Sequence, residues 1–361
     1  MSQNLLLSAK KGFMEFEIEL KLLTNDQAGD VIETKLLPKL NASVTQETLL
    51  LTNHYFDTPD RTLRQHYIGL RIRGNNQKFE QTLKTAGKSI GGLHQRPEYN
   101  VPLDVKKNQN VNVPDLKLFP ASAWHETIDV DILQTEIKTL FTTHFKRKIY
   151  LLEFPDGDIV ELVWDLGQVT SGNKSIPICE IELELKKGTT LALFNLASRI
   201  VGLLPTTIGT ESKAALGYNL LDGLPVNQLE QYQHYQQYQP VNTQAEAEVF
   251  ASSLTTLLQF FQQFSAAFSR QYHEVLVINI NRVITDLVEN VAGFKHHFPC
   301  SLLDSIYSSL KTLAKDWFLV TQQHDVNAAG NLLIRAQTTQ LQLDIAQCLV
   351  ECPWSSEGHS I

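Results

Sequence analysis

The chain has 361 residues, 43% hydrophobic and 19% charged, with only 18 Gly and 13 Pro; the length suggests two or more domains, and the composition excludes collagenous and disordered classes. Lys and Arg number 31 against 39 Asp and Glu, a net charge of -8, which excludes a general nucleic-acid binder because phosphate neutralisation needs a basic surplus. No stretch nears the roughly 18 apolar residues of a membrane span, and the early Leu5-Leu6-Leu7 run is too short for a secretory leader, so a cytoplasmic protein without membrane association is expected.

Residues 1–13 read as an N-terminal extension, disordered or created by a misplaced start codon, and dispensable in either case. From Met14 to about residue 225, apolar and polar residues alternate between Gly, Pro and Asn punctuation, the period-two signature of half-buried strands. The predicted strands are Glu15–Leu23, Thr48–Phe56, Leu70–Gly74, Phe79–Thr85, Arg96–Leu103, Phe145–Phe154, Asp158–Asp165 and Ile178–Lys186. Helical spacing interrupts them at Asp26–Leu40, with Asp26 as its cap, at Gln134–Thr142 and at Thr189–Leu204. Strands in this number predict a closed antiparallel β-barrel with peripheral helices, since closure removes exposed edges.

Residues 226–244 are rich in Gln and Tyr and read as a linker or as an early extension of the next helix. Apolar residues then recur at helical spacing in Ala245–Gln271, Glu274–Phe294, Leu302–Gln322 and Asn331–Val350, predicting an all-α bundle over 245–355. The expected fold class is therefore α+β, a barrel followed by a bundle.

The most informative segment is Glu15-Phe16-Glu17-Ile18-Glu19-Leu20-Lys21, and Glu180-Ile181-Glu182-Leu183-Glu184-Leu185-Lys186 repeats its charge order. On a strand, alternate side chains share a face, so each segment carries one apolar face and one face of three carboxylates and a lysine. Like charges about 7 Å apart are unfavourable without a counter-ion, so two such strands suggest cations between them. Mg²⁺ or Mn²⁺ suits these oxygen ligands and needs no His or Cys. Other strands carry the opposite sign: Arg71 and Arg73, Lys84, Arg96 beside Glu98, and Arg147. With the charged faces turned inward and helices covering the apolar outer faces, the barrel would enclose a channel suited to a metal-carrying polyanion.

Taken together, these blocks resemble the CYTH domain, the triphosphate tunnel metalloenzyme family. Glu17, Glu19 and Lys21 match its ExExK strand; Tyr55-Phe56-Asp57-Thr58, Leu70-Arg71-Ile72-Arg73 and Lys84 follow in family order. Arg96 and Glu98, Arg147, Glu161 with Asp165, the Glu180–Lys186 strand, and Ser212-Lys213 before Gly217-Tyr218 complete the likeness. The resemblance implies an eight-stranded tunnel over 14–225, a divalent metal, and metal-dependent hydrolysis of tripolyphosphate or a related triphosphate. It implies a clamp of Lys21, Arg71, Arg73, Lys84, Arg96, Arg147, Lys186 and Lys213, metal ligands among Glu17, Glu19, Asp165, Glu182 and Glu184, and catalytic roles for Glu98, Asp165 and Lys84. A module that binds triphosphate or polyphosphate without cleaving it, or a hydrolase of thiamine triphosphate or a nucleoside triphosphate, is the alternative. Class IV adenylate cyclases share the family, but no sequence feature demands their nucleoside pocket.

Other signals carry less. Gly87-Lys88-Ser89 has the tail of a phosphate-binding loop, but Thr82 stands where that motif needs Gly. His273, His296 and His297 lack partners at ligand spacing and read as surface or capping residues, Cys179, Cys300, Cys348 and Cys352 as free thiols. Two Asn-x-Ser matches, at Asn41 and Asn173, carry nothing in a cytoplasmic protein. By position and helical character the second half is similar to a CHAD domain, a polyphosphate-binding bundle. From Val241 onward, however, six Lys and Arg face eleven Asp and Glu, a field that repels a long polyanion. A degenerate bundle with a structural role, a protein partner or self-association is expected there.

Overall fold

The computed structural model describes residues 14–75, 78–103, 111–222, 247–270, 272–295, 298 and 300–351. The N-terminal extension, the Gln/Tyr-rich linker, His296, His297 and Cys352 lie outside the described residues.

Ten strands form one antiparallel sheet: β1 (Met14–Leu23), β2 (Ser43–Asp57), β3 (Gly69–Asn75), β4 (Lys78–Lys84), β5 (Lys88–Ile90), β6 (Leu93–Leu103), β7 (Lys138–Glu153), β8 (Ile159–Ser171), β9 (Lys174–Lys187) and β10 (Thr207–Ile208). The order β1-β9-β8-β7-β2-β3-β4-β6 returns to β1, where Glu17 stands opposite Arg96 and Glu19 opposite His94. These eight strands close the barrel, each corresponding to one predicted strand; β5 and β10 are short additions at β6 and β1.

Alternation decides what each face meets. Leu20 and Leu22 of β1, with Ile181 and Leu183 of β9, point outward and are covered by Leu193, Phe194, Ala197 and Ile200 of α4 (Thr190–Val201). The outer face of β3, β4 and β6 packs on the connection to β7, which includes α3 (Val130–Glu136). Phe16 and Leu50 share the outward face but stay 55% and 71% exposed, so helical cover is partial. Inside, the charged face runs along only part of the barrel. A helix not foreseen from the sequence, α5 (Lys213–Asp222), brings Tyr218 and Leu220 against Leu51, Tyr55, Phe141 and Phe145, an apolar stretch of interior.

Three predicted helices differ from the structure. The first begins at α1 (Ala28–Val31) with Gln27 as its N-cap and no side-chain cap, then widens into a π turn over Ile32–Leu36 and tightens into a 3₁₀ turn that ends at Lys39; Asn25, not Asp26, accepts the Gln27 N–H. The segment predicted at Gln134–Thr142 is α3, capped by Asp129, and from Lys138 it is strand, as Ile137, Thr139, Phe141, Thr142 and Thr143 favour on intrinsic grounds. The predicted Asn331–Val350 helix is two helices broken at the extended Arg335.

The second half comprises α2's larger successors: α6 (Ala247–Arg270), α7 (Glu274–Lys295), α8 (Ser301–Gln322), α9 (Val326–Ile334) and α10 (Ala336–Glu351), where α2 is the single turn Thr62–Gln65. His273 accepts the Val275 N–H ahead of α7, a capping role. The bundle shares a continuous apolar core with the barrel, from Leu20 and Leu183 through α4 to Leu254, Trp317 and Leu343. Gln340 donates to Ser198 at 2.9 Å, and Thr339 donates to the Thr206 carbonyl. Gly91, at φ +56, lies so close to Ala346 and Leu258 that a Cβ would collide with both; only glycine satisfies that backbone and that contact together.

Candidate active site

The odd positions of β1 turn Glu17, Glu19 and Lys21 into the barrel, and register supplies their neighbours. Glu19 pairs with Glu184 and Lys21 with Glu182 across β1 and β9, while Glu161 pairs with Glu184 and Asp165 with Glu180 across β8 and β9. A cavity of about 520 Å³ results. Every predicted site residue lines it except Asp165, which is fully buried beneath Arg147 and Lys213.

Three charge groupings make up the site. In the first, Lys21, Arg147 and Lys213 balance Asp165, Glu180 and Glu182. Arg147 grips Asp165 through Nε at 2.8 Å and Nη2 at 2.6 Å, and also reaches Glu182 at 2.7 Å. Lys213 contacts Asp165 at 2.7 Å, Glu182 at 3.0 Å and Glu180, while Lys21 contacts Glu180 at 3.3 Å and Glu182 at 3.0 Å. Burial alone would raise the acids and lower the amines. The opposite charges outweigh it, holding Asp165 and Glu182 below the usual carboxylate range and raising Lys21 and Lys213. Oxygens of Asp165, Glu180 and Glu182 lie within 4.8 Å of one another, a grouping of metal-binding size, but three protein cations already neutralise it.

In the second, Lys84 lies 2.6 Å from Glu17 and 3.3 Å from Glu98, and Arg96 spans Glu17 and Glu19 at 3.0 Å each. Despite burial, Lys84 and Arg96 hold Glu17 far below the ordinary carboxylate range. Beside it, Glu184 has Lys186 at 2.6 Å, a lysine shared with Glu161 at 3.7 Å. Burial, with Glu17 and Glu161 adding like charge, pushes Glu184 up to about 7. This acidic side lacks sufficient cationic charge.

The third is short of anions. Arg73 makes no carboxylate ion pair among the described residues; its Nε donates to Asn53 at 2.9 Å. Burial and the like charges of Arg71 and Arg147 pull it down to about 10. Arg71 reaches Glu98 at 3.7 Å, while its buried Nε has no hydrogen-bond partner.

Several lumen residues escaped the sequence assignment of roles: Asn53, Tyr55, Glu80, Glu161, Glu180, Arg64 and Tyr218. Glu161 pairs with Glu184 and Glu180 with Asp165, and Glu80 shares a strand face with Lys84, so strand period marks them. Arg64, on the one-turn α2, has no such signal.

The Tyr55–Thr58 block acquires a structural reason. Asp57 accepts the N–H groups of Thr58 and Leu63 at 2.8 Å and of Arg64 at 3.1 Å, and the Tyr218 hydroxyl donates to it at 2.7 Å. Replacing Asp57 by Ala leaves these donors unpaired and should lower stability by about 3 kcal/mol, read as a shifted urea midpoint; an unchanged midpoint would contradict this role.

Residues 15–218 match the family model of the CYTH domain. Over 207 residues the chain is 37% identical to the inorganic triphosphatase of Haemophilus influenzae, covering 56% of this chain and 54% of that one; it thus spans about half the length of that curated relative. Among solved structures, a candidate adenylyl cyclase from Hippeastrum described as having a dominant triphosphatase activity is 22% identical, covering 56% of this chain and 95% of its own, with TM-score 0.40. A candidate adenylate cyclase from Bacillus halodurans is 22% identical, covering 55% and 96%, with TM-score 0.33. No helix among the described residues is long and apolar enough to cross a membrane.

Proposed function

Because the chain belongs to the CYTH domain family, we propose that its tunnel hydrolyses inorganic triphosphate to diphosphate and phosphate with a divalent metal ion, Mg²⁺ or Mn²⁺. One observation carries this reading: the cavity holds a buried guanidinium, Arg73, that makes no carboxylate ion pair among the described residues and is pulled down to about 10, together with a buried carboxylate, Glu184, pushed up to about 7 beside Glu17 and Glu161. A metal-bound triphosphate supplies both missing partners, its oxygens to the guanidiniums and its metal to the carboxylates. The relative named as an inorganic triphosphatase supports tripolyphosphate as the substrate.

The donor set fits a hard cation. Glu17, Glu19 and Glu184 would hold it, and Glu184, pushed up to about 7 by burial with the like charges of Glu17 and Glu161 although Lys186 lies 2.6 Å away, is the clearest indication. Bound there, the metal would offset charge on the phosphate oxygens. Arg71, Arg73, Arg147 and Lys186 orient the chain and stabilise charge as the anhydride bond breaks. Lys84, between Glu17 and Glu98, offers its ammonium to the departing phosphate, and Glu98 is placed to accept a proton from water. Asp165 and Glu180 act from behind, fixing Arg147, Lys213 and Lys21 in position.

The test is phosphate release from tripolyphosphate, thiamine triphosphate and ATP in Mg²⁺, Mn²⁺ or EDTA. The expected result is a preference for tripolyphosphate of about tenfold or more, lost in EDTA. Binding without phosphate release in either metal would leave a binding module instead.

A further inference from the structure

The rim of the tunnel carries a cation that the triphosphate clamp does not use. Arg64, on α2, lines the same cavity as Lys84 and Gly69, yet its side chain is 40% exposed where that of Arg71 is 11%. Its guanidinium lies over the Tyr218 ring, 4.7 Å from the centroid, and pairs with Asp222. Arg61 shares both partners, 5.7 Å from the ring and 3.7 Å from the carboxylate. The two guanidiniums share the Asp222 carboxylate, which occupies only part of the donor fork of Arg64.

The turn that presents Arg64 is built at a conformational cost. Arg61 and Tyr67, on either side of α2, hold φ of 64° and 57°, a left-handed region uncommon for residues with side chains and found disproportionately where a site is preorganised. Asp57 anchors the turn from beneath through the Leu63 and Arg64 N–H groups. Gly69 lines the same cavity and stands opposite Lys84 in the β3–β4 register. A Cβ at that position would meet nothing within 4 Å, so no side chain crowds the cavity beside Lys84.

We propose that Arg64 forms a fourth-phosphate subsite, so that linear polyphosphates longer than three units anchor in the clamp and place the next phosphate on the rim guanidinium. This rests on the triphosphate reading of the tunnel, and the test separates the two. Affinities of the full chain for tripolyphosphate and tetrapolyphosphate are measured in EDTA, where metal-dependent turnover stops. The parent chain should hold tetrapolyphosphate about tenfold more tightly, the worth of one charge-assisted contact. Arg64→Ala should remove that advantage and leave the tripolyphosphate Kd within about twofold, while Arg64→Lys, which keeps the charge but not the fork, should retain part of it. Equal affinities in the parent, or an equal loss for both chains in Arg64→Ala, would overturn the subsite. A preference for tetrapolyphosphate without phosphate release in Mg²⁺ would uphold the subsite and remove the enzymatic reading; no binding of either chain in EDTA together with no phosphate release in Mg²⁺ would overturn both.

Discussion

Arg73→Gln should lower triphosphate hydrolysis by about a thousandfold while leaving the melting temperature no lower than that of the parent chain. Most buried arginines stabilise a fold through a carboxylate partner, so truncation usually costs both stability and function. Arg73 differs. Burial with the like charges of Arg71 and Arg147 pulls it down to about 10 even though Glu80 stands opposite it across β3 and β4, and its Nε donates to the neutral Asn53. A base whose folded-state pKa is depressed is one whose charged form the fold disfavours; at neutral pH that cost is borne in full, and glutamine removes it. What offsets the cost is an anion, which would give Arg73 the charge-assisted contacts that Asn53 does not. Steady-state phosphate release and scanning calorimetry read the two halves of the prediction. Activity within tenfold of the parent, or a clear fall in melting temperature, would show Arg73 to be a structural residue.

The second large effect concerns the acidic side. Glu184→Gln should raise the magnesium concentration needed for half-maximal activity by about tenfold or more, since it removes a carboxylate that no protein cation fully balances. The same group ties metal binding to pH. Its folded-state pKa, about 7, lies above the ordinary 4.5. Its stabilising contribution in metal-free protein is therefore fully present below about 4.5 and is lost as pH rises through 7. Asp165, Glu17 and Glu182 are all shifted downward, away from this window. The rise in melting temperature caused by magnesium should thus be larger at pH 8 than at pH 6, and that difference should shrink in Glu184→Gln. An equal magnesium effect at both pH values in the parent chain would count against Glu184 as a ligand.

Strand period made the barrel legible because it is a local property: in Glu15–Lys21 and Glu180–Lys186 each residue's face follows from its neighbours alone. The same rule placed Arg71, Arg73, Lys84, Arg96, Glu98 and Arg147 on the lumen side. What pairs with what was not legible. That Glu19 faces Glu184, 165 positions away, follows from closure and register, as does the withdrawal of Asp165 behind Arg147 and Lys213. Short elements were lost for a related reason. The single turn of α2 and the two-residue β10 are held by tertiary contacts such as Asp57 and β1, and too few residues carry their pattern. The break at Arg335 was hidden because arginine is a good helix former, so helical spacing runs on across an extended residue. By contrast, the strand from Lys138 onward was readable in its β-branched and aromatic residues, a propensity signal outweighed by apparent helical spacing.

The account stands or falls on where a metal-bound triphosphate settles. A crystal structure with tripolyphosphate and manganese, recorded at the manganese absorption edge, should show phosphate density against Arg71, Arg73 and Arg147 and an anomalous peak beside Glu17 and Glu184. Manganese seated instead among Asp165, Glu180 and Glu182, or phosphate bound only outside the barrel, would contradict it.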